Sequence, residues 1–167
     1  QLIAEWEHAL VGLNKADVKG KGYTKAFLVN IIDHDLKYAR TSLDELKELA
    51  NSNEIEVVGI MQQHIRDRKQ QQLLLGKGKL RDLAIEALQK HTDLVIFNCN
   101  LTPAQIRSIT DQISLRVIDR TQLILDIFAK RARTREGKLQ VELAQLKYLL
   151  PRLSGQTSAF SRLAGGI

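Results

Sequence analysis

The chain has 167 residues, 44% of them hydrophobic, which is enough to bury roughly two thirds of its unfolded surface without a disulfide or structural metal. Its one cysteine, Cys99, has no intramolecular partner, and His8, His34, His64 and His91 lack zinc-pair spacing, which fits a reducing compartment and excludes a Cys/His metal module. The net charge of +6 is unevenly placed: residues 1–128 hold 17 basic and 17 acidic side chains, whereas residues 129–167 hold 8 and 2.

Residues 2–13 read as a short amphipathic helix, with Leu2, Trp6, Leu10 and Leu13 at spacings of four, four and three. Gly20 and Gly22 mark a connection. Residues 1–24 are therefore expected to be an N-terminal helix and linker. Beginning with Gln1 rather than Met, the chain reads as a piece of a longer polypeptide. No apolar run approaches the roughly 18 residues of a membrane span, and no basic-then-apolar leader opens it.

Strand and helix then alternate. Residues 26–32 form an apolar run suited to a buried strand. Ser42 or Thr41 is expected to cap the next helix, with Glu45 completing a capping box and Leu43, Leu46, Leu49 and Ala50 on the buried side. Residues 51–53 end it, and 55–61 make a second strand. The polar stretch 62–72 reads as a loop, and Leu73-Leu74-Leu75 as a short strand. Gly76-Lys77-Gly78-Lys79 then leads into a helix that runs to about Lys90 and buries Leu80, Leu83, Ala84, Ala87 and Leu88. Residues 93–98 are a third strand. Thr102 caps and Pro103 opens another helix, which buries Ile106, Ile109 and Ile113. Residues 115–118 are the last strand. Single helices between strands predict an α/β domain over residues 25–120, a small parallel sheet with flanking helices.

From Thr121 the pattern becomes a long helix. Leu139, Leu143, Leu146, Leu150 and Leu153 alternate spacings of four and three, a heptad seam that needs a partner helix. Projected backwards, the seam passes Phe128, Ala132 and Glu136. Pro151 predicts a kink or an end to the helix. Residues 121–167 are thus expected to be a basic helical arm, half of a helical hairpin, and prone to non-native self-pairing through its seam.

Two stretches invite a ligand. Gly76, Lys77, Gly78 and Lys79 at a helix start are a possible anion-binding turn, but they do not match the phosphate-loop pattern of Gly, four residues, then Gly-Lys-Ser/Thr. The simpler reading is a tight turn. Lys130, Arg131, Arg133, Arg135 and Lys138 lie within nine residues, and Lys147, Arg152 and Arg162 extend the series. Arginine makes forked contacts to phosphate, and lysine supplies a mobile charge. The set carries no base-reading signature, so structured RNA recognised by shape is the expected partner, with a solvated helix face as the alternative. Asp33-His34-Asp35 and Asp119-Arg120-Thr121 follow strands. The first reads as a solvated loop; in the second, Asp119 or Thr121 caps a helix and Arg120 pairs locally. No nucleophile–base pair or metal cluster is apparent.

The stretch Asp119–Leu153 closely resembles the HflX family of ribosome-associated GTPases. The matching features are Asp119-Arg120-Thr121, Leu125 to Ala129, Arg131-Ala132, Gly137 to Leu146 and Tyr148 to Leu153, with weaker matches at Gly76–Lys79 and Leu101–Gln105. The resemblance covers about residues 55–167. Thr102, Arg107-Ser108-Ile109 and Gln122 depart from the common family residues. The resemblance implies a cytoplasmic protein whose N-terminal region binds ribosomal RNA of the large subunit and helps split or rescue ribosomes. It also implies that GTP and Mg2+ act in a following G domain, joined through a returning helix, so that no catalysis and no cofactor are expected in this stretch. A nucleotide-binding α/β domain, or a structural module regulating the attached G domain, are the alternatives.

Overall fold

A computed structural model describes residues 23–33, 35–65 and 73–164, the side chains of 153–164 excepted. The expected N-terminal helix lies outside the described residues, as do the side chains of Leu153 and Arg162. The elements run β1 (Thr24–Ile32), α1 (Leu36–Ser52), β2 (Ile55–His64), α2 (Lys77–Gln89), β3 (Leu94–Phe97), α3 (Pro103–Ile113), β4 (Arg116–Asp119), α4 (Arg120–Arg131) and α5 (Arg135–Ala164).

The four strands form one sheet in the order β2-β1-β3-β4, and all three pairings are parallel. A parallel sheet must be covered on both faces, because its crossovers place helices there. The strand alternation supplies both faces. Phe27, Val29, Val95, Phe97 and Val117 pack with Leu80 and Leu83 of α2 and Ile109 and Ile113 of α3. Ala26, Leu28, Leu94, Ile96 and Ile118 pack with Leu43 and Leu46 of α1 and Leu123 and Ile127 of α4. The sequence-based α/β reading therefore holds, with α1 and α4 on one face and α2 and α3 on the other.

The β1–β2 pairing shifts register between Ala26 and Phe27, so that Phe27 stands opposite Gly59. A Cβ on Gly59 would lie 2.3 Å from the Phe27 ring, and the Lys90 ammonium sits 5.4 Å from that ring's centre. A glycine is needed there because the ring occupies the space of its missing side chain.

Several local expectations are corrected. The first crossover helix starts at Leu36, capped by Asp35, whose carboxylate accepts from Lys37 N and Tyr38 N. Ser42 is thus a buried residue in mid-helix, not a cap, and Thr41 Oγ1 donates to Lys37 O within the same helix. β2 continues to His64, so residues 62–64 are strand. Leu73-Leu74-Leu75 is no strand: Leu74 has φ 57° and turns the chain, while Leu74 and Leu75 are buried. Leu88 is exposed, one residue off the buried stripe of α2.

The largest correction is the helix from Thr121. It is two helices, broken at Ala132, whose backbone is extended. α5 then starts afresh, with Thr134 Oγ1 accepting from Gly137 N at 3.0 Å. The seam therefore does not continue back through Ala132 to Phe128. Nor does Pro151 end the helix, since α5 reaches Ala164 across it. α5 is the helical arm.

Candidate nucleic-acid interface

α4 runs from the C-terminal end of β4, and α5 turns back beside it, touching both α4 and α3. The corner between them gathers the basic residues. Lys130 and Arg131 occupy the last turn of α4, where the helix dipole favours cations. Arg133 stands in the break, and Arg135 and Lys138 belong to the first turn of α5. All five are exposed. Lys130 Nζ reaches Asn53 O at 3.4 Å, which ties the corner to the α1–β2 turn. Among the described residues, Arg131, Arg133, Arg135 and Lys138 pair with no carboxylate. Confinement of exposed like charges to one corner raises the local positive potential.

The other predicted contacts separate from this corner. Lys147 is exposed but lies nine residues further along α5, about 14 Å at the helical rise. Arg152 is corrected: its guanidinium is turned inward. Nη2 donates to Leu101 O at 2.7 Å and lies 3.6 Å from Asp119 Oδ2, and Nη1 donates to Tyr148 O at 2.7 Å. The guanidinium also lies 3.4 Å from the centre of the Tyr148 ring. A group so engaged is withdrawn from solvent phosphates.

The seam leucines Leu139, Leu143, Leu146 and Leu150 are 36–55% exposed. At the possible anion turn, Gly76 is an ordinary extended N-cap with φ −71°, and Lys77 and Lys79 point to solvent. Lys79 borders a shallow groove of about 390 Å³ between β2 and α2, but Asp82 and Glu86 line it as well, which disfavours an anion there.

The strand order reverses between β1 and β3, and the crevice at their C-terminal ends is where such sheets bind ligands. Here side chains fill it. Asn98 Nδ2 donates to Asn30 Oδ1 at 2.9 Å and to Ser42 Oγ at 3.1 Å. Arg120 Nη1 donates to Asn98 Oδ1 at 3.1 Å, Ser42 Oγ at 3.0 Å and Ser42 O at 3.1 Å. Arg120 Nη2 pairs with Glu45 Oε2 at 2.6 Å. Arg120 thus joins β4 to α1 and to the loop after β3, a long-range role rather than the local pairing expected from sequence. Asp119 caps α4 as expected, accepting from Gln122 N at 2.9 Å, and also takes Leu101 N at 3.0 Å. Burial and the Asp119 charge push the Cys99 thiol up to about 12, so it stays protonated at neutral pH. Among the described residues, no group of His, Cys, Asp and Glu is arranged to hold a metal.

The structure is thus a small doubly wound α/β domain followed by a helical extension with a basic corner. The sequence matches the family described as GTP-binding GTPase N-terminal over residues 40–129, and GTP-binding GTPase Middle Region over 131–167. It is 47% identical over 152 residues to GTPase HflX of Alkalihalophilus pseudofirmus, covering 90% of this chain and 36% of that protein. Identity to GTPase HflX of Escherichia coli is 40% over 146 residues, covering 86% and 33%. A GTP-binding protein of Sulfolobus solfataricus, solved in complex with GDP, superposes with a TM-score of 0.60 at 23% identity, covering 81% of this chain and 40% of that one. The chain belongs to the HflX GTPase family and spans about a third of the length of these HflX relatives.

Proposed function

We propose that this chain is the ribosome-binding N-terminal part of an HflX-like GTPase, which meets ribosomal RNA of the large subunit through the α4–α5 corner. The observation that carries the reading is the cluster of Arg131, Arg133, Arg135 and Lys138, exposed and, among the described residues, without carboxylate partners, beside residues 1–128, which carry no net charge. Such a surface attracts phosphate at long range and positions it without reading bases. In the full-length protein, GTP and Mg2+ act in a G domain that follows, and the whole separates or rescues ribosomes in the cytoplasm. The 167 residues themselves contain no Gly-x-x-x-x-Gly-Lys-Ser/Thr loop and are expected to turn over no GTP.

The test is co-sedimentation of the chain with isolated large subunits, with small subunits as the control. Saturable binding to large subunits alone is expected. Equal binding to both, or to neither, would refute the reading.

A further inference from the structure

The arm has little to hold it in place by burial. Its leucine stripe is exposed, and the corner at Ala132–Thr134 is exposed or half-buried. Val141, Ala144, Tyr148 and Leu149 of α5 are half-buried, and polar ties to the body are added to them. Gln145 Nε2 donates to Asp126 Oδ1 of α4 at 3.4 Å. One turn beyond Tyr148, Arg152 reaches Leu101 O and the carboxylate of Asp119, with the Tyr148 ring against its guanidinium. Asp119 has no exposed surface, and the Arg152 side chain is only 16% exposed. Bringing the two charges out of water offsets much of their attraction, but one partner left alone there is costly.

We propose that Asp119, Tyr148 and Arg152 are positioning residues that fix the direction in which the arm leaves the α/β body. The contact joins points 33 residues apart in sequence, and it lies at the far end of the packed segment from the corner. Two well-separated attachments define a direction, whereas the corner alone is a hinge. The roles within the contact are unequal. Asp119 also accepts two backbone N–H groups, from Leu101 and Gln122, which serve the body. Arg152 accepts no backbone N–H of the body; its bonds run to its own helix and across to Leu101 O and the Asp119 carboxylate. Replacing Arg152 therefore disturbs the body less than replacing Asp119 does, and protection of the sheet reports how much of the effect reaches the body. The inference concerns geometry within this chain and stands whether or not the arm meets RNA.

The experiment uses the 167-residue chain with Cys99→Ala as background and spin labels on Glu48→Cys of α1 and Glu142→Cys of α5, both exposed positions. Distance distributions are measured by double electron–electron resonance, and amide exchange is followed in parallel. In Arg152→Met, the distribution is expected to broaden and amides of residues 140–152 to exchange about tenfold faster or more, with β1 and β3 protection unchanged. An unchanged distribution with an intact sheet would overturn the proposal. If Arg152→Met loosens the sheet as well, the milder Arg152→Lys is read in the same way. Loss of sheet protection there too would assign Arg152 to body stability and overturn the proposal equally.

Discussion

Leu46 and Leu143 are both leucines on the apolar side of a helix, yet the first has no exposed surface and the second keeps 53%. Leu46 lies on α1, pressed between the sheet and α4. Leu143 lies on α5 and faces outward. In the body, apolar burial holds the elements together and polar groups adjust them. In the arm the balance shifts: Val141, Ala144 and Leu149 are only half-buried, a carboxylate, a guanidinium and an aromatic face add to the attachment, and the leucine stripe remains open. A region attached in this way can be presented to a partner without loosening the domain behind it.

The contrast is sharpened first by paired truncations. Leu46→Ala is expected to cost about 2–5 kcal/mol, the range for leucines in closed cores. Leu143→Ala is expected to stay within about 0.5 kcal/mol, as surface changes do. Urea unfolding of both variants provides the check; equal losses would erase the distinction. Gly59→Ala probes how tightly the body is packed. Its new methyl would meet the Phe27 ring, and a loss of about 2–3 kcal/mol is expected by the same assay.

Asn98→Ala comes next. It removes the donor to Asn30 Oδ1 and one acceptor of Arg120, while Ser42 and Glu45 still hold Arg120. About 1–2 kcal/mol should be lost, since Asn30 is 1% exposed and its oxygen would face no donor. A neutral result would mean that water replaces the amide and that the crevice is more open than its packing implies.

The smallest effect concerns Asp126, where arm and body meet. Burial raises its pKa, against opposing contributions from Gln122, Arg116, Gln145 and Lys130. A carboxyl raised in the folded state binds its proton more readily there than in the unfolded chain. Its contribution is therefore full below the unfolded pKa and is lost as pH rises through the folded one. Asp126→Asn, which keeps an acceptor for Gln122, is expected to melt slightly above the native chain at neutral pH. The difference should shrink as pH falls through the carboxylate range. A gap that widens on acidification would mean that the Arg116 pair outweighs desolvation.

Much of the body was legible in sequence because its signals are local. Short apolar runs separated by single helices specify a parallel sheet, and Thr102-Pro103 marks a helix start by chemistry that acts within four residues. Other starts were hidden. α1 begins six residues before Ser42, because Asp33 to Arg40 carries a cap but no apolar period. The break at Ala132–Thr134 contains neither Gly nor Pro, and its only signal is Thr134, which becomes meaningful once α5 is seen to start there. Leu74 lies in a left-handed turn that no leucine run would suggest. For the candidate site, the basic cluster was readable as a charge count. The inward turn of Arg152 and the reach of Arg120 to Glu45 were not, since each depends on a partner 33 or more positions away. The resemblance noted at Asp119-Arg120-Thr121 and at Tyr148–Leu153 concerned two separate stretches, and the fold brings them into contact.

If the α4–α5 corner meets RNA phosphates, as proposed, binding depends steeply on salt through these four residues. Affinity of the chain for isolated large subunits is measured across a series of ionic strengths, with and without Arg131, Arg133, Arg135 and Lys138 all changed to glutamine. Glutamine keeps helix propensity, and circular dichroism first establishes that the fold is intact. Each phosphate neutralised releases condensed counter-ions, so the slope of log affinity against log salt should become shallower by about three in the variant, with weaker binding at low salt. The same affinity and the same slope in both proteins would contradict the claim and leave the corner a solvated surface.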